Sequence, residues 1–154
     1  MKSLLMAITL SCVGCTSTNT DSTKFNAMCN RQPDSIVCNV PDTNTIYPSF
    51  EYLNRIANEL TYNTIYKEDT NDYWEHNNLT NELLIGDCED IAFTFVSQLL
   101  LDGVRPETIY IVFSKHDKLS HIHVEINTIE GIYKFNIDTN LKEFKRLTIL
   151  ELNN

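Results

Sequence analysis

"LLIGDCEDIAFTFVSQLLLDG", residues 83–103, decides how this chain folds. Asp87 stands just before an apolar run and can cap a helix. Glu89 and Asp90 fall in the first turn, where acids favour the positive helix end. Ile91, Ala92, Phe95, Val96, Leu99 and Leu100 then recur at helical spacing as one broad apolar face. Gly103 ends the run and Pro106 confirms the stop. A face that wide predicts a helix buried against a sheet.

The sheet is read downstream. "TIYIVFS" (108–114), "HIHVEINT" (121–128) and "IYKFNID" (132–138) are three strand signals, with Glu130-Gly131 as a hairpin turn between the last two. "LKEFKRLTILEL" (141–152) suits a strand or a helix. Upstream, Ser49 after Pro48 caps a predicted helix over 50–62, whose apolar stripe is Phe50, Leu53, Ile56, Ala57 and Leu60. "YKEDTNDYWEHNN" (66–78) reads as a polar loop and 79–85 as a short helical turn. Helices followed by antiparallel strands give an α+β domain over residues 49–154.

The N-terminal part reads differently. Met1-Lys2 and "SLLMAITLSCV" resemble an export signal, too short to span a bilayer. "VGC" ahead of "TSTNTDST" resembles a lipoprotein signal over residues 1–15, with Cys15 lipidated and anchored to a membrane. Simple secretion is the alternative. Residues 16–24 read as a flexible tether, and 25–48, with Pro33, Pro41 and Pro48, as an irregular arm. The net charge of −9 comes with no basic stripe, which argues against nucleic-acid binding.

Five cysteines fit an exported, oxidising context. Cys12 leaves with the signal, Cys15 carries the lipid, and Cys29 and Cys38 are close enough to pair. Cys88 is then left over as a candidate reactive thiol. Its acidic neighbours Asp87, Glu89 and Asp90 disfavour a thiolate, while the helix start favours one. His121, His123 and Glu125 share one strand face, because side chains alternate. Asp138, at the end of the next strand, is expected opposite His123 and diagonal to His121. Cys, His and Asp in this order follow the logic of a thiol hydrolase, with either histidine as base. A rival reading makes Cys88, His121, His123 and Asp138 zinc ligands. His76 and His116 fall in polar loops.

"GDCED" opening a helix, the upstream Trp74, the "HxxxE" strand and a following strand ending in "ID" resemble the bacterial transglutaminase-like cysteine proteinases of the adhesin-processing type. The resemblance covers roughly residues 74–140. It implies a papain/transglutaminase-like core with the nucleophile helix packed on an antiparallel sheet. It implies Cys88 as nucleophile, His121 as base, four residues ahead of Glu125, and Asp138 as the aspartate. Trp74 and Glu82 resemble the family's upstream pair, with "EHNNLTN" where Thr-Pro is usual. It further implies Ca²⁺ at Asp87, Glu89 and Asp90, with simple helix capping as the other account of these acids.

The function expected from these readings is an exported, lipid-anchored cysteine peptidase acting on a surface or periplasmic protein or peptide. A transglutaminase-type acyltransferase or amidase, and an inactive calcium- or peptide-binding lipoprotein, are the alternatives. A regulatory protein partner is left unspecified.

Overall fold

The computed structural model describes residues 21–68, 73–75, 83–117, 119–138 and 140–154. The export signal, Cys15, His76 and Glu82 lie outside the described residues. In chain order the elements are α1 (Asp21–Arg31), α2 (Phe50–Tyr62), β1 (Thr64–Tyr66), β2 (Leu84–Gly86), α3 (Cys88–Leu101), β3 (Ile109–His116), β4 (Leu119–Thr128), β5 (Gly131–Phe135), β6 (Lys142–Thr148) and α4 (Ile149–Leu152). The α+β class expected from the sequence is the one observed.

Helix α3 begins and ends where its signals predict. Asp87 is the N-cap, and its backbone N–H donates to Asp90 Oδ2 at 3.3 Å. At the other end Gly103 adopts φ +87°, which a side chain would resist. Its N–H donates to Leu100 O, and that of Val104 to Leu99 O, which closes a Schellman motif. The helix is buried nearly all round, including Thr94 and Ser97, rather than along one face. The sheet covers one side, where Phe95 stacks on Phe135 with centroids 4.1 Å apart. Phe25 and Trp74 cover Phe93 elsewhere on the helix, each with centroids 5.5–5.6 Å away.

The main sheet has strand order β5-β4-β3-β6 and is antiparallel throughout. Ile122, Val124 and Ile126 enter the apolar core, while His121, His123 and Glu125 alternate with them and are also buried. The β4–β5 hairpin closes at the pair Thr128↔Gly131, with Gly131 at φ +136°. That register corrects the expected place of Asp138. Val124 pairs with Phe135, so an extended ladder would put position 138 level with His121 rather than His123. The ladder in fact stops at Phe135, because Asn136 turns into the left-handed region at φ +61°. The segment 141–152, open between strand and helix, is both: β6, then a turn of helix capped by Thr148.

Two further expectations are corrected. Residues 21–31 are helical, and Phe25, Met28 and Val37 are buried in the core, so the segment from 21 onward is neither a loose tether nor an irregular arm there. The Cys29–Cys38 disulfide, which the sequence left open, is formed and staples this arm. The helical turn expected over 79–85 gives way at Leu84–Gly86 to a strand, which pairs in parallel with β1. Leu84 is buried and Ile85 exposed, the alternation of a half-covered strand.

Candidate functional site

Strand β2 delivers the chain to α3 through Gly86-Asp87-Cys88. A Cβ at Gly86 would lie 2.7 Å from Asp90 Cβ and Oδ2, so the glycine lets Asp90 fold back over the strand end. Asp90 Oδ1 accepts a 3.0 Å hydrogen bond from the backbone N–H of Glu75. Arg31 Nη2 donates to Trp74 O at 2.6 Å, and Lys24 lies over the Trp74 ring. Helix α1 thus holds the Trp74 segment, and that segment is held in turn to the start of α3. Trp74 is a buried part of the wall beside Cys88's helix.

Asp87, Glu89 and Asp90 are all buried at this helix start. Burial, then the charge of Asp87, raises the Glu89 carboxyl well above the ordinary range. Burial also pushes Asp90 up to about 7, against the hydrogen bond from Glu75. The charges acting on both groups are those of other carboxylates. Glu89 Oε2 lies 3.0 Å from Cys88 Sγ. Cys88 is disulfide-bonded. This corrects the expectation of a leftover thiol.

His121 and His123 are both buried. Nε2 of His121 is hydrogen-bonded to the main-chain carbonyl of Asn136, and Nδ1 has no hydrogen-bond partner among the described residues. Burial lowers the pKa of His121, while the Asn136 bond and the charge of Asp138 oppose that fall. Asp138 Oδ1 itself accepts from Asn140 N at 2.9 Å. Asn136 also reaches the helix: its Nδ2 lies 3.4 Å from Cys88 O and 3.3 Å from Ile122 O. Cys88 and His121 are therefore joined through one residue that the sequence reading passed over. An asparagine followed by an apolar residue at a strand end carries no motif, although Asn is among the few residues that tolerate positive φ.

His123 sits elsewhere on the same strand face. Its Nε2 is 3.6 Å from Glu125 Oε1 and 3.5 Å from Glu143 Oε1. These three residues are the group whose ligand atoms converge within 4.8 Å among the described residues. Cations already fill the space around them. Lys134 Nζ is 2.5 Å from Glu125 Oε1 and 3.5 Å from Glu143 Oε1, and Arg146 Nε is 2.7 Å from Glu125 Oε2. Burial alone would raise Glu125, but bonds from Lys134 and Arg146 outweigh it and hold the carboxyl low. The cluster is an ion-pair network. Burial lowers the pKa of His123, against the pull of Glu143 and Glu125. His116, at the exposed end of β3, lies 3.2 Å from Asp117.

No protein-family model matches the chain, and a search of curated proteins finds no match.

Proposed function

We propose that the chain is an exported thiol hydrolase of the transglutaminase-like cysteine proteinase type, on a papain/transglutaminase-like core. Cys88 is its nucleophile, His121 its base, and Asp138 the carboxylate that favours the imidazolium. The observation that carries this reading is the link through Asn136, which ties the start of the nucleophile helix to the ring of a buried histidine. Lowered by burial, His121 is a neutral base near pH 7.

In the reaction, reduced Cys88 gives its proton to His121, and the thiolate attacks a peptide carbonyl. The imidazolium returns the proton to the leaving amine as the C–N bond breaks, which leaves a thioester on Cys88. Water then attacks the thioester with His121 taking its proton, and the acid is released as the thiol reforms. An amine in place of water would make the same intermediate a transglutaminase. The substrate is a protein or peptide at the membrane that holds the Cys15 lipid.

The acids at the helix start fit a hard cation, because burial and mutual repulsion raise Glu89 and Asp90 and calcium prefers oxygen donors. Ca²⁺ held by Asp87, Glu89 and Asp90 would supply the positive charge that offsets them beside the thiolate.

The test is alkylation by iodoacetamide across pH, with and without reductant. Labelling of reduced Cys88 is expected to be fast and to fall on the acid side. Slow labelling that ignores His121→Ala would overturn the assignment. Comparing surface proteins of cells carrying wild type and Cys88→Ala identifies the substrate.

A further inference from the structure

We propose that His123, Glu125 and Glu143 form a zinc site on the polar face of the sheet, with Lys134 holding the metal's place until Zn²⁺ binds. None of these residues takes part in the reaction proposed above, so the two readings stand or fall separately.

The donor atoms stand near tetrahedral spacing. Two ligands bound to zinc at about 2.0–2.1 Å in a tetrahedron lie roughly 3.3–3.4 Å apart. Nε2 of His123 is 3.6 Å from Glu125 Oε1 and 3.5 Å from Glu143 Oε1, and the three atoms all lie within 4.8 Å of one another. The histidine is the member that the ion pairs leave unmet. Its side chain is 1% exposed, and neither ring nitrogen has a hydrogen-bond partner among the described residues. A buried polar atom without a partner calls for an explanation, and a bound ion is one.

The sheet brings Glu143 to this face by an irregularity. Val112 pairs with His123 on one side and Arg146 on the other, and Phe113 with Lys145. A regular ladder would then set Phe144 opposite Ser114, but the register shifts there and sets Glu143 opposite it instead. Bulges re-aim side chains in this way. Lys134 Nζ, 2.5 Å from Glu125 Oε1 and 3.5 Å from Glu143 Oε1, is a cation already seated between two of the donors. Its side chain is 34% exposed and that of Glu143 46%, so the ammonium can turn out to water and a metal can enter from the same side. Arg146 stays on the other oxygen of Glu125 at 2.7 Å and keeps that carboxylate aimed. Zinc accepts this mixed nitrogen and oxygen set and leaves a fourth position for water. Calcium does not, because it takes about six to eight oxygens.

The experiment is calorimetric titration of Zn²⁺ into the oxidised full-length protein, in which Cys29, Cys38 and Cys88 are held in disulfides and offer no thiolate. Wild type is expected to take up one Zn²⁺ that excess Ca²⁺ does not displace. Glu143→Gln, at an exposed position, is expected to bind about 10²-fold more weakly, at or beyond the loss seen when an outer partner of a metal site is changed. Lys134→Met keeps the apolar stem and removes the competing ammonium. It is expected to bind Zn²⁺ about fivefold tighter or more, since the metal no longer breaks the pair with Glu125. A purely structural network predicts no such gain. His123→Gln is expected to abolish uptake, and if it does not fold, the other two variants decide. No uptake by wild type, or an affinity unchanged in Glu143→Gln or in Lys134→Met, overturns the inference.

Discussion

Two groups of buried carboxylates, one on β4 and one at the start of α3, behave in opposite ways. Glu125 is buried on β4, but Lys134 and Arg146 bond both of its oxygens and hold its pKa low. Glu89 and Asp90 are buried at the start of α3 with other carboxylates as their charged neighbours, and theirs are raised. Burial is common to both groups, so the presence of a cation decides the sign. The sheet cluster is complete within the protein. The helix start instead holds carboxyl groups that burial and their own neighbours push up, as functional sites often do.

The comparison breaks most visibly in activity. Cys88→Ser is expected to lose activity by orders of magnitude while remaining folded, because a serine hydroxyl is hard to ionise under the same base. Glu125→Gln is expected to keep turnover. Equal losses in both variants, measured on the substrate found by surface proteomics, would erase the distinction between the regions.

Calcium sharpens it in stability. Free Ca²⁺ at 100 times its dissociation constant is expected to stabilise the protein by about 2.7 kcal/mol. EGTA is expected to lower the melting temperature and the activity together. Mg²⁺ is expected to substitute poorly, because it keeps its waters and demands octahedral geometry. Superimposable melts with EGTA and with millimolar Ca²⁺ would leave Asp87, Glu89 and Asp90 as capping residues.

Breaking the sheet network has a smaller and purely structural cost. Removing one member of a fully buried ion pair costs about 3–5 kcal/mol. The side chains of Lys134 and Arg146 are 34% and 37% exposed, so solvent screens them. Glu125→Ala is therefore expected to cost about 1–3 kcal/mol by urea denaturation, with no dependence on calcium.

The smallest effect is in pH. His121 and His123 have lowered pKa values, so their contribution is present above about pH 6.5 and is lost as pH falls through their folded values. Glu89 and Asp90 have raised values, so theirs is present at low pH and is lost as pH rises through about 7 for Asp90. His123→Gln is expected to make the acid-side loss shallower. Calcium is expected to flatten the other side. Unfolding curves between pH 5 and 8 read both limbs.

Much of this was legible in the residues. Helix α3 announced itself because cap, apolar run and Gly103 agree, β3 because it is a β-branched and aromatic run, and β4 because its polar and apolar residues alternate. The helix over 21–31 was hidden because its stability comes from the Cys29–Cys38 staple and from packing on Phe93, not from periodicity. The β1–β2 pair was hidden because three-residue strands have almost no pattern. The acceptor of His121 could not be read at all, since a main-chain carbonyl has no residue type. Asp138 was named from its place in the order, but the turn at Asn136 decides where the chain carries it.

The docking of α1 has a consequence for reach. If Cys15 holds the lipid, the chain from Cys15 to Asp21 spans at most about 20 Å when fully extended. Phe25 and Met28 fasten everything beyond that to the body of the protein. Such a leash is shorter than a small domain is wide. The protein would sit against the bilayer rather than patrol the space above it, and a substrate's cleavable segment would have to come down to the membrane to be cut.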